Sequence, residues 1–346
     1  MIVDIVFGFL GAGKTTFITR VLEGWGSKEK TVVLVNEFGE VGIDGELLAA
    51  EGGNVVEMPS GCICCTLQAD FRAQLLEISR AIRPERVIIE PTGVATIAQV
   101  RSIIAAQLFE NTIRQINDIL IADATGFMGL YKANRHFVES QVENADIVLL
   151  NKCDKVDKTK AMVTRSAISA INPEITVLTA EFGAVDWGDY HLALSAAPRS
   201  KKDNTRDDHH PAHDAAKNIT AEAVGEGLPH FHEEEDGLGY ESYGCIFGGL
   251  SFDRNALEAL FRKLNTADSG LGEIVRAKGI FRLGDRGILM ELASGEFSFQ
   301  PMGKLKESKV SVIGKDLNRA MIGAAFERCV AAQAGMNQTP AGSTAR

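Results

Sequence analysis

The amino-acid sequence predicts an α/β fold, with a mostly parallel, doubly wound sheet followed by a small α+β domain. Short apolar runs alternate with helical stretches over roughly the first half of the 346-residue chain. These runs are continuous rather than alternating in polarity, which is typical of strands buried on both faces of a parallel sheet. After a polar, acidic segment, closely spaced strand-like runs replace the alternation and indicate a second domain.

Each apolar run in the first half predicts one strand. The runs cover residues 2–7, 31–35, 87–89, 119–122, 147–150 and 175–178. Between them, segments such as "KTTFITRVLEGW" and "LQADFRAQLLEISRAI" combine strong helix formers with helical periodicity. Strands that alternate with helices in this way favour a doubly wound sheet.

A change of composition predicts the domain organisation. Residues 199–241 are polar, acidic and poor in large aliphatic side chains, so they bury too little apolar area to offset their ordering entropy. We therefore expect a first domain over 1–198, a linker over 199–241, an α+β domain over 242–334 and a disordered tail over 335–346. The linker holds five of the seven histidines, which could hold metal loosely or simply sit in a solvated connector.

The predicted second domain begins with the strand-like "YGCIFGGLSF" and the helical "RNALEALFRKL". The runs "GIFRL", "GILMEL", "FSFQPM" and "KVSVIG" then predict closely spaced strands of an antiparallel sheet. A last helix is predicted to begin at Asp316, because aspartate is a favoured N-cap residue.

Charge and composition exclude some classes of protein. The formal net charge of −10 argues against sequence-independent nucleic-acid binding, which depends on lysine and arginine. No apolar run approaches the roughly 20 residues that span a bilayer, and the N-terminus lacks a basic signal region. We expect a cytoplasmic protein without nucleic-acid or membrane partners. Thiols stay reduced there, so clustered cysteines favour metal binding or catalysis over a disulfide.

The stretch "GFLGAGKT" fits the phosphate-binding pattern G-x-x-x-x-G-K-[ST] between a predicted strand and a predicted helix. Glycines let backbone N–H groups curl around phosphates, Lys14 reaches the β and γ oxygens, and the Thr15 hydroxyl can ligate Mg²⁺. The alternative is an ordinary glycine-rich turn. The candidate nucleotide-binding residues here are Gly8, Gly11, Ala12, Gly13, Lys14, Thr15 and Thr16.

The stretch "NKCD", directly after the apolar run "IVLL", predicts the base. Asp154 can accept two hydrogen bonds from guanine, while Asn151 approaches the other edge and the stem of Lys152 lies along the ring. Adenine lacks this donor pair, so guanine is expected to bind on the order of hundreds-fold more tightly. The sequence therefore predicts GTP and GDP as ligands. A P-loop kinase or ATPase with an incidental "NKCD" is the alternative.

Two further segments carry candidate residues for Mg²⁺ and the γ-phosphate. "VIIEPTG" places Glu90 at the end of a buried strand, where a supporting Mg²⁺ carboxylate belongs, and Gly93 near the γ-phosphate. "NEFGEVGID" places Glu37, Glu40 and Asp44 on a loop expected to sense the nucleotide. The catalytic candidates are Lys14, Glu40, Asp44 and Glu90. These motifs contain no arginine finger, which predicts slow hydrolysis by the protein alone.

Three of the six cysteines stand in the C-x-C-C pattern of "GCICC". In an extended segment Cys62 and Cys64 point the same way, and a local turn can bring Cys65 alongside. Three thiolates can then meet one ion, favouring Zn²⁺ or Cu(I), with a fourth ligand from Glu37, Glu40, a histidine or water. The alternative is a patch of small buried side chains. The candidate ligands of Mg²⁺ and of the transition metal, taken together, are Thr15, Glu90, Glu37, Glu40, Cys62, Cys64 and Cys65.

The order of "GFLGAGKTT", "NEFGEVGID", "GCICC", "EPTG" and "NKCD" resembles the CobW-type GTPases, relatives of the GTPases that mature urease and hydrogenase. The resemblance implies GTP-dependent handling of a transition metal, commonly zinc, with cobalt or nickel as the other candidates. Cys62, Cys64 and Cys65 match the family's metal motif, and Glu40 matches an acidic position near it. After "EPTG" the chain lacks the acidic residue and proline that often follow in the family.

Together these features predict a GTPase that delivers a metal to a client metalloprotein or cobalamin-pathway enzyme, with a nucleotide- or metal-dependent dimer among the assemblies considered. The cysteines lie between the two segments expected to sense the γ-phosphate. A coupling of about 1–3 kcal/mol would change metal affinity roughly 5- to 150-fold between nucleotide states. The alternative is a GTP-gated metal sensor that regulates a partner without transferring the ion.

Overall fold

The computed structural model describes residues 1–25, 29–35, 43, 54–57, 67–91, 97–104, 109, 111–197, 239–264, 266 and 269–331. These residues contain two sheets. The first has seven strands, all paired in parallel, in the order β3-β2-β4-β1-β5-β6-β7. The second has five antiparallel strands in the order β11-β10-β9-β12-β8. The predicted fold class is confirmed.

The first sheet contains all six predicted strands and one that the sequence did not predict. Its strands are β1 Ile2–Phe7, β2 Thr31–Val35, β3 Asn54–Glu57, β4 Arg86–Glu90, β5 Gln115–Asp123, β6 Ile147–Asn151 and β7 Thr176–Thr179. The unpredicted strand, β3, is four residues long at the edge of the sheet. Its sequence "NVVE" has only two apolar residues, too few to show a period.

Helices cover both faces of this sheet. They are α1 Lys14–Trp25, α2 Leu67–Ala81, α3 Ile97–Ile104, α4 Phe127–Ala133, α5 Arg135–Asn144, α6 Lys158–Ile171 and α7 Trp187–Ala196. Phe17 of α1 and Tyr190 of α7 pack on one face, in a core with Val6. Phe71 of α2 and Val138 of α5 pack on the other face in a separate core. Two cores on opposite faces are what a doubly wound sheet requires.

The second sheet packs against two helices of its own. Its elements are β8 Glu241–Gly248, α8 Arg254–Leu264, β9 Glu273–Leu283, β10 Arg286–Ala293, β11 Glu296–Met302, β12 Glu307–Lys315 and α9 Arg319–Glu327. Phe261 of α8 and Phe326 of α9 pack with Phe281 of β9 at the centre of a third core. This arrangement is the small α+β domain that the sequence predicts.

The start of the last helix differs from the prediction. Asn318, not Asp316, is the N-cap residue, and its side chain accepts a hydrogen bond of 3.1 Å from the backbone N–H of Met321. Asp316 instead adopts a φ of 51°, in the turn that follows β12. The turn needs this left-handed residue before Leu317 can enter the core, so the helix begins two residues later.

A buried ion pair joins β1 to β4 inside the first domain. Arg86 donates through Nη1 to the carboxylate of Asp4, and both side chains are buried. Asn117 donates to the second oxygen of Asp4 over 2.6 Å, and Arg86 Nε donates to Glu29 over 2.8 Å. Burial raises the pKa of Asp4, although Arg86 and Asn117 act in the opposite direction.

Replacing Arg86 by methionine is expected to destabilise the protein by about 3–5 kcal/mol, because Asp4 must then stay charged without its arginine or take up a proton. Urea unfolding followed by circular dichroism measures this loss. The matched control is Arg20→Met, which breaks the ion pair with Glu23, whose two side chains are 43% and 48% exposed. That change should cost no more than about 1 kcal/mol. Equal losses for the two variants would contradict the prediction.

No helix within the described ranges is long and apolar enough to cross a membrane.

Candidate functional site

The loop between β1 and α1 has the backbone shape that its glycines were predicted to provide. Gly8 and Gly13 have φ values of 143° and 100°. A Cβ atom on Gly8 would lie 2.2 Å from the carbonyl oxygen of Ile121, and one on Gly13 would lie 2.3 Å from Asn151 Nδ2. Both positions therefore require glycine, since the loop lies directly against the ends of β5 and β6.

Lys14 and its neighbours stand where this loop enters α1. The Lys14 side chain is buried, and its Nζ donates to the carbonyl oxygen of Gly8 over 3.1 Å. This contact curls the side chain back over the loop. Thr15 and Thr16 follow in the first turn of α1, and both line the cavity described below. A helix N-terminus with a lysine beside it favours phosphate oxygens.

Thr15 and Glu90 form the candidate Mg²⁺ site. The Thr15 hydroxyl donates to Glu90 Oε1 over 3.1 Å and lies 3.3 Å from Oε2. Glu90 is buried and ends β4, in the strand position that the sequence predicts. A hydroxyl and a carboxylate at a P-loop fit Mg²⁺, which is held in proteins by few oxygen ligands together with phosphate and water.

Asn151 ties two loops of the site together. Its Nδ2 donates to the carbonyl oxygen of Ala12 over 2.9 Å, and its Oδ1 accepts from the backbone N–H of Gly183 over 3.0 Å. The side chain is buried at the end of β6. Asn151 thus fixes the P-loop against the segment around Phe182, whose side chain is 62% exposed and lines the same cavity.

Lys152 is anchored by an aspartate that the sequence interpretation missed. Its Nζ donates to Asp123 Oδ2 over 2.8 Å. Burial alone would raise the pKa of Asp123, but Lys152 and hydrogen bonds from Thr125 and Ser294 outweigh it and hold the pKa below its ordinary value. Asp123 ends β5 directly opposite Asn151. A polar residue at the end of a buried apolar strand was the sequence signal that could have identified Asp123.

Asp154 lies beside this anchored lysine. It belongs to a short 3₁₀ turn, Cys153–Lys155, that follows β6 after Lys152. The side chain is exposed and lines the cavity, so its carboxylate is available to a ligand. The structure thus brings Lys14, Thr15, Glu90 and Asp154 to one edge of the sheet, at the carboxyl ends of β1, β4 and β6.

The C-terminal domain contributes contacts that no sequence pattern indicated. Ser294, in the β10–β11 turn, donates to Asp123 Oδ2 over 2.7 Å. Glu296 forms an ion pair with Lys155. Gly11 of the P-loop approaches so closely that a Cβ atom there would lie 2.7 Å from the Cβ of Ala293. The β10–β11 turn therefore lies against both the P-loop and the guanine motif.

A cavity of about 250 Å³ lies between the P-loop and the C-terminal sheet. One wall is formed by Gly11, Gly13, Lys14, Thr15, Glu90 and Asp154. The other includes Arg276 and Lys278 of β9, which are only 9% and 4% exposed. Eight of the candidate nucleotide residues thus line a cavity between the two domains, namely Gly11, Gly13, Lys14, Thr15, Thr16, Asn151, Lys152 and Asp154, whereas Gly8 and Ala12 do not line it.

Other candidate residues fall in segments outside the described residues. They are Glu37, Glu40, Asp44, Cys62, Cys64, Cys65 and Gly93. Within the described part of the chain, no group of three or more histidine, cysteine, aspartate or glutamate side chains is placed to hold a metal ion. The cysteine site therefore stays a prediction from the sequence.

A P-loop that opens a helix, a Thr–Glu oxygen pair and an N-K-x-D motif on one sheet edge define a P-loop GTPase. Comparison with known families gives the more particular assignment. The family "CobW/HypB/UreG, nucleotide-binding domain" matches residues 2–179, and "Cobalamin synthesis protein cobW C-terminal domain" matches residues 249–330. The chain belongs to the CobW/HypB/UreG family, as its motifs predict.

Relatives named as zinc chaperones match over much of their length. Zinc chaperone YeiR of Escherichia coli (strain K12) is 29% identical over 284 residues, which cover 81% of this chain and 82% of the relative. Zinc chaperone CobW of Sinorhizobium sp is 27% identical over 263 residues, covering 67% and 70%. The crystal structure of Zn(II)-bound YjiA GTPase from E. coli aligns with 95% of this chain and 98% of its own, at 21% identity and a TM-score of 0.42.

Proposed function

We propose that this GTPase is a metallochaperone that binds Zn²⁺ at Cys62, Cys64 and Cys65 and delivers it to a client protein. The observation that carries the proposal is the position of "GCICC" between "NEFGEVGID" and "EPTG", in a chain whose P-loop and guanine motif meet at one cavity. The names of the zinc-chaperone relatives support zinc as the cargo. Thiolate ligands suit zinc, while cobalt and nickel remain testable alternatives.

The described residues support the nucleotide half of the proposed mechanism. Lys14 and the N-terminus of α1 would hold the β and γ phosphates, and Asp154 would accept hydrogen bonds from guanine. Thr15 would ligate Mg²⁺ with Glu90 in support, and the ion would supply charge neutralisation on the phosphates. Lys152 is held in place by Asp123, so its stem is ready to lie along the guanine ring.

The assembly and setting are part of the same proposal. We propose that the GTPase domain spans residues 1–198, the linker 199–241, the C-terminal domain 242–334 and the tail 335–346. In the structure α7 ends at Ala196 and β8 begins at Glu241, which supports a junction between them. The cytoplasm would keep the cysteine thiols reduced. The client there would be a metalloprotein or a cobalamin-pathway enzyme, and the assembly would be a nucleotide- or metal-dependent dimer.

Zinc affinity is expected to differ between the GDP form and the form with a non-hydrolysable GTP analogue, by roughly 5- to 150-fold. The reason is linkage: if the γ-phosphate changes the affinity of the cysteine segment for zinc, zinc must change the affinity for the GTP analogue by the same factor. Competition against a chromophoric zinc chelator, with the protein reduced, measures both affinities.

The control for this experiment is Lys14→Ala, which should bind neither nucleotide and should show one zinc affinity in both mixtures. Tight zinc binding that is identical in the GDP and GTP-analogue forms of the wild type would refute GTP-driven delivery. The cysteines would then form a passive buffer.

A further inference from the structure

Strand β9 of the C-terminal sheet presents two buried cations to the cavity that the P-loop lines. We propose that Arg276 and Lys278 are nucleotide-binding residues that contact the phosphates of GTP, so that the C-terminal sheet forms the second wall of the nucleotide site. This inference rests on the proposed nucleotide site and adds to it the residues that close it.

Strand register places both cations on the face that meets the GTPase domain. Arg276 and Lys278 are two residues apart, so their side chains project from the same face of β9. On β10, Ala293 lies opposite Arg276, and Glu291 lies opposite Lys278. Since a Cβ atom on Gly11 would lie 2.7 Å from the Cβ of Ala293, this face of the sheet lies against the P-loop.

Polar contacts hold the sheet in that position. Ser294 donates to Asp123, and Lys152 Nζ lies 3.4 Å from the Ser294 hydroxyl oxygen. Glu296 pairs with Lys155, one residue beyond the guanine-binding Asp154. The contacts involve the guanine motif itself, so a bound nucleotide would touch both domains at the base end as well as at the phosphate end.

The chemistry of the two side chains suits a polyphosphate. Arginine offers several donors in a planar fork that matches phosphate oxygens, and lysine offers a compact positive charge. Arg276 Nη2 lies 3.4 Å from Glu291 Oε1, which is a long contact for an ion pair. Phosphate oxygens would give the guanidinium shorter, charge-assisted hydrogen bonds. The nucleotide motifs themselves contain no arginine, so β9 supplies one within the same chain.

Replacing either cation by glutamine, as Arg276→Gln or Lys278→Gln, is expected to weaken binding of a non-hydrolysable GTP analogue about 10- to 100-fold, the scale of a hydrogen bond to a charged group. Isothermal titration calorimetry in the presence of Mg²⁺ measures the affinity of the full chain. The matched control is Arg286→Gln, which removes an exposed arginine from β10 of the same sheet and should leave affinity unchanged.

The affinities of these variants distinguish the possibilities. Wild-type affinity in both Arg276→Gln and Lys278→Gln would overturn the inference, as would an equal loss in Arg286→Gln. A wild type that binds no guanine nucleotide would instead defeat the proposed nucleotide site. If a glutamine variant does not fold, hydrogen exchange on the wild type decides. The GTP analogue should slow exchange in residues 273–298, and unchanged exchange there would overturn the inference.

Discussion

A variant carrying Cys62→Ser, Cys64→Ser and Cys65→Ser is expected to lose tight Zn²⁺ binding, with an affinity reduced by more than about 100-fold. Loss of even a supporting partner weakens metal sites about 10- to 100-fold, and this variant removes three proposed ligands. Serine hydroxyls stay protonated at neutral pH and do not replace thiolates as zinc ligands. Equilibrium dialysis of the reduced protein, with metal measured by mass spectrometry, determines both stoichiometry and affinity.

The matched control is Cys245→Ser, because Cys245 is a free, partly exposed cysteine on β8 of the C-terminal sheet. That variant should bind zinc as the wild type does. GTP affinity measured without zinc should be preserved in both proteins, which shows that the GTPase domain is folded. Unchanged zinc stoichiometry and affinity in the triple variant would place the metal elsewhere in the chain.

The variant Asp154→Ala is expected to lose guanine selectivity, with GTP affinity falling on the order of hundreds-fold and ATP affinity changing little. Asp154 is exposed, so its carboxylate can accept both guanine hydrogen bonds without first breaking a buried contact. Without it, two guanine donors face no acceptor in the cavity, and a site built to pair such donors discriminates strongly between bases. Competition of GTP and ATP against a fluorescent guanine nucleotide measures the ratio.

Asp157→Ala is the companion variant, because Asp157 is a nearby exposed aspartate that caps α6 instead of lining the cavity. Its loss should lower thermal stability slightly and leave the GTP-to-ATP ratio unchanged. A ratio that stays the same in Asp154→Ala would mean that the base is read by other residues. A wild type that prefers ATP would end the GTPase assignment of this motif.

The sequence predicted the fold where local signals were strong. Five runs, from residues 2–7 to residues 147–150, appear as interior strands of the parallel sheet because burial on both faces demands continuous apolar residues. The sixth run, residues 175–178, also appears as a strand, but at an edge where only Val177 is buried. The edge strand β3 was missed because an edge position tolerates a short, half-polar sequence. The sequence predicts Asp316 as a helix cap because aspartate is a good capping residue, but Asn318 is one as well, and the path of the turn decides between them.

Prediction of the site has a similar limit. The P-loop residues and Glu90 could be placed from sequence, since each directly follows or ends a buried strand and strand ends meet at one sheet edge. Asp123 follows the same rule and was overlooked. Arg276, Lys278 and Ser294 could not have been placed, because their role depends on how one domain docks on the other. No periodicity within either domain encodes that docking.

The close approach of Gly11 to Ala293 has an evolutionary consequence. The middle of the P-loop is shaped by the C-terminal domain as well as by phosphate, so a bulkier residue at either position would wedge the two halves apart. Recombination that joins this GTPase half to the C-terminal half of a distant paralogue would need a small residue at the matching turn. The GTPase domain and the C-terminal domain are therefore expected to be inherited together and to change together during evolution.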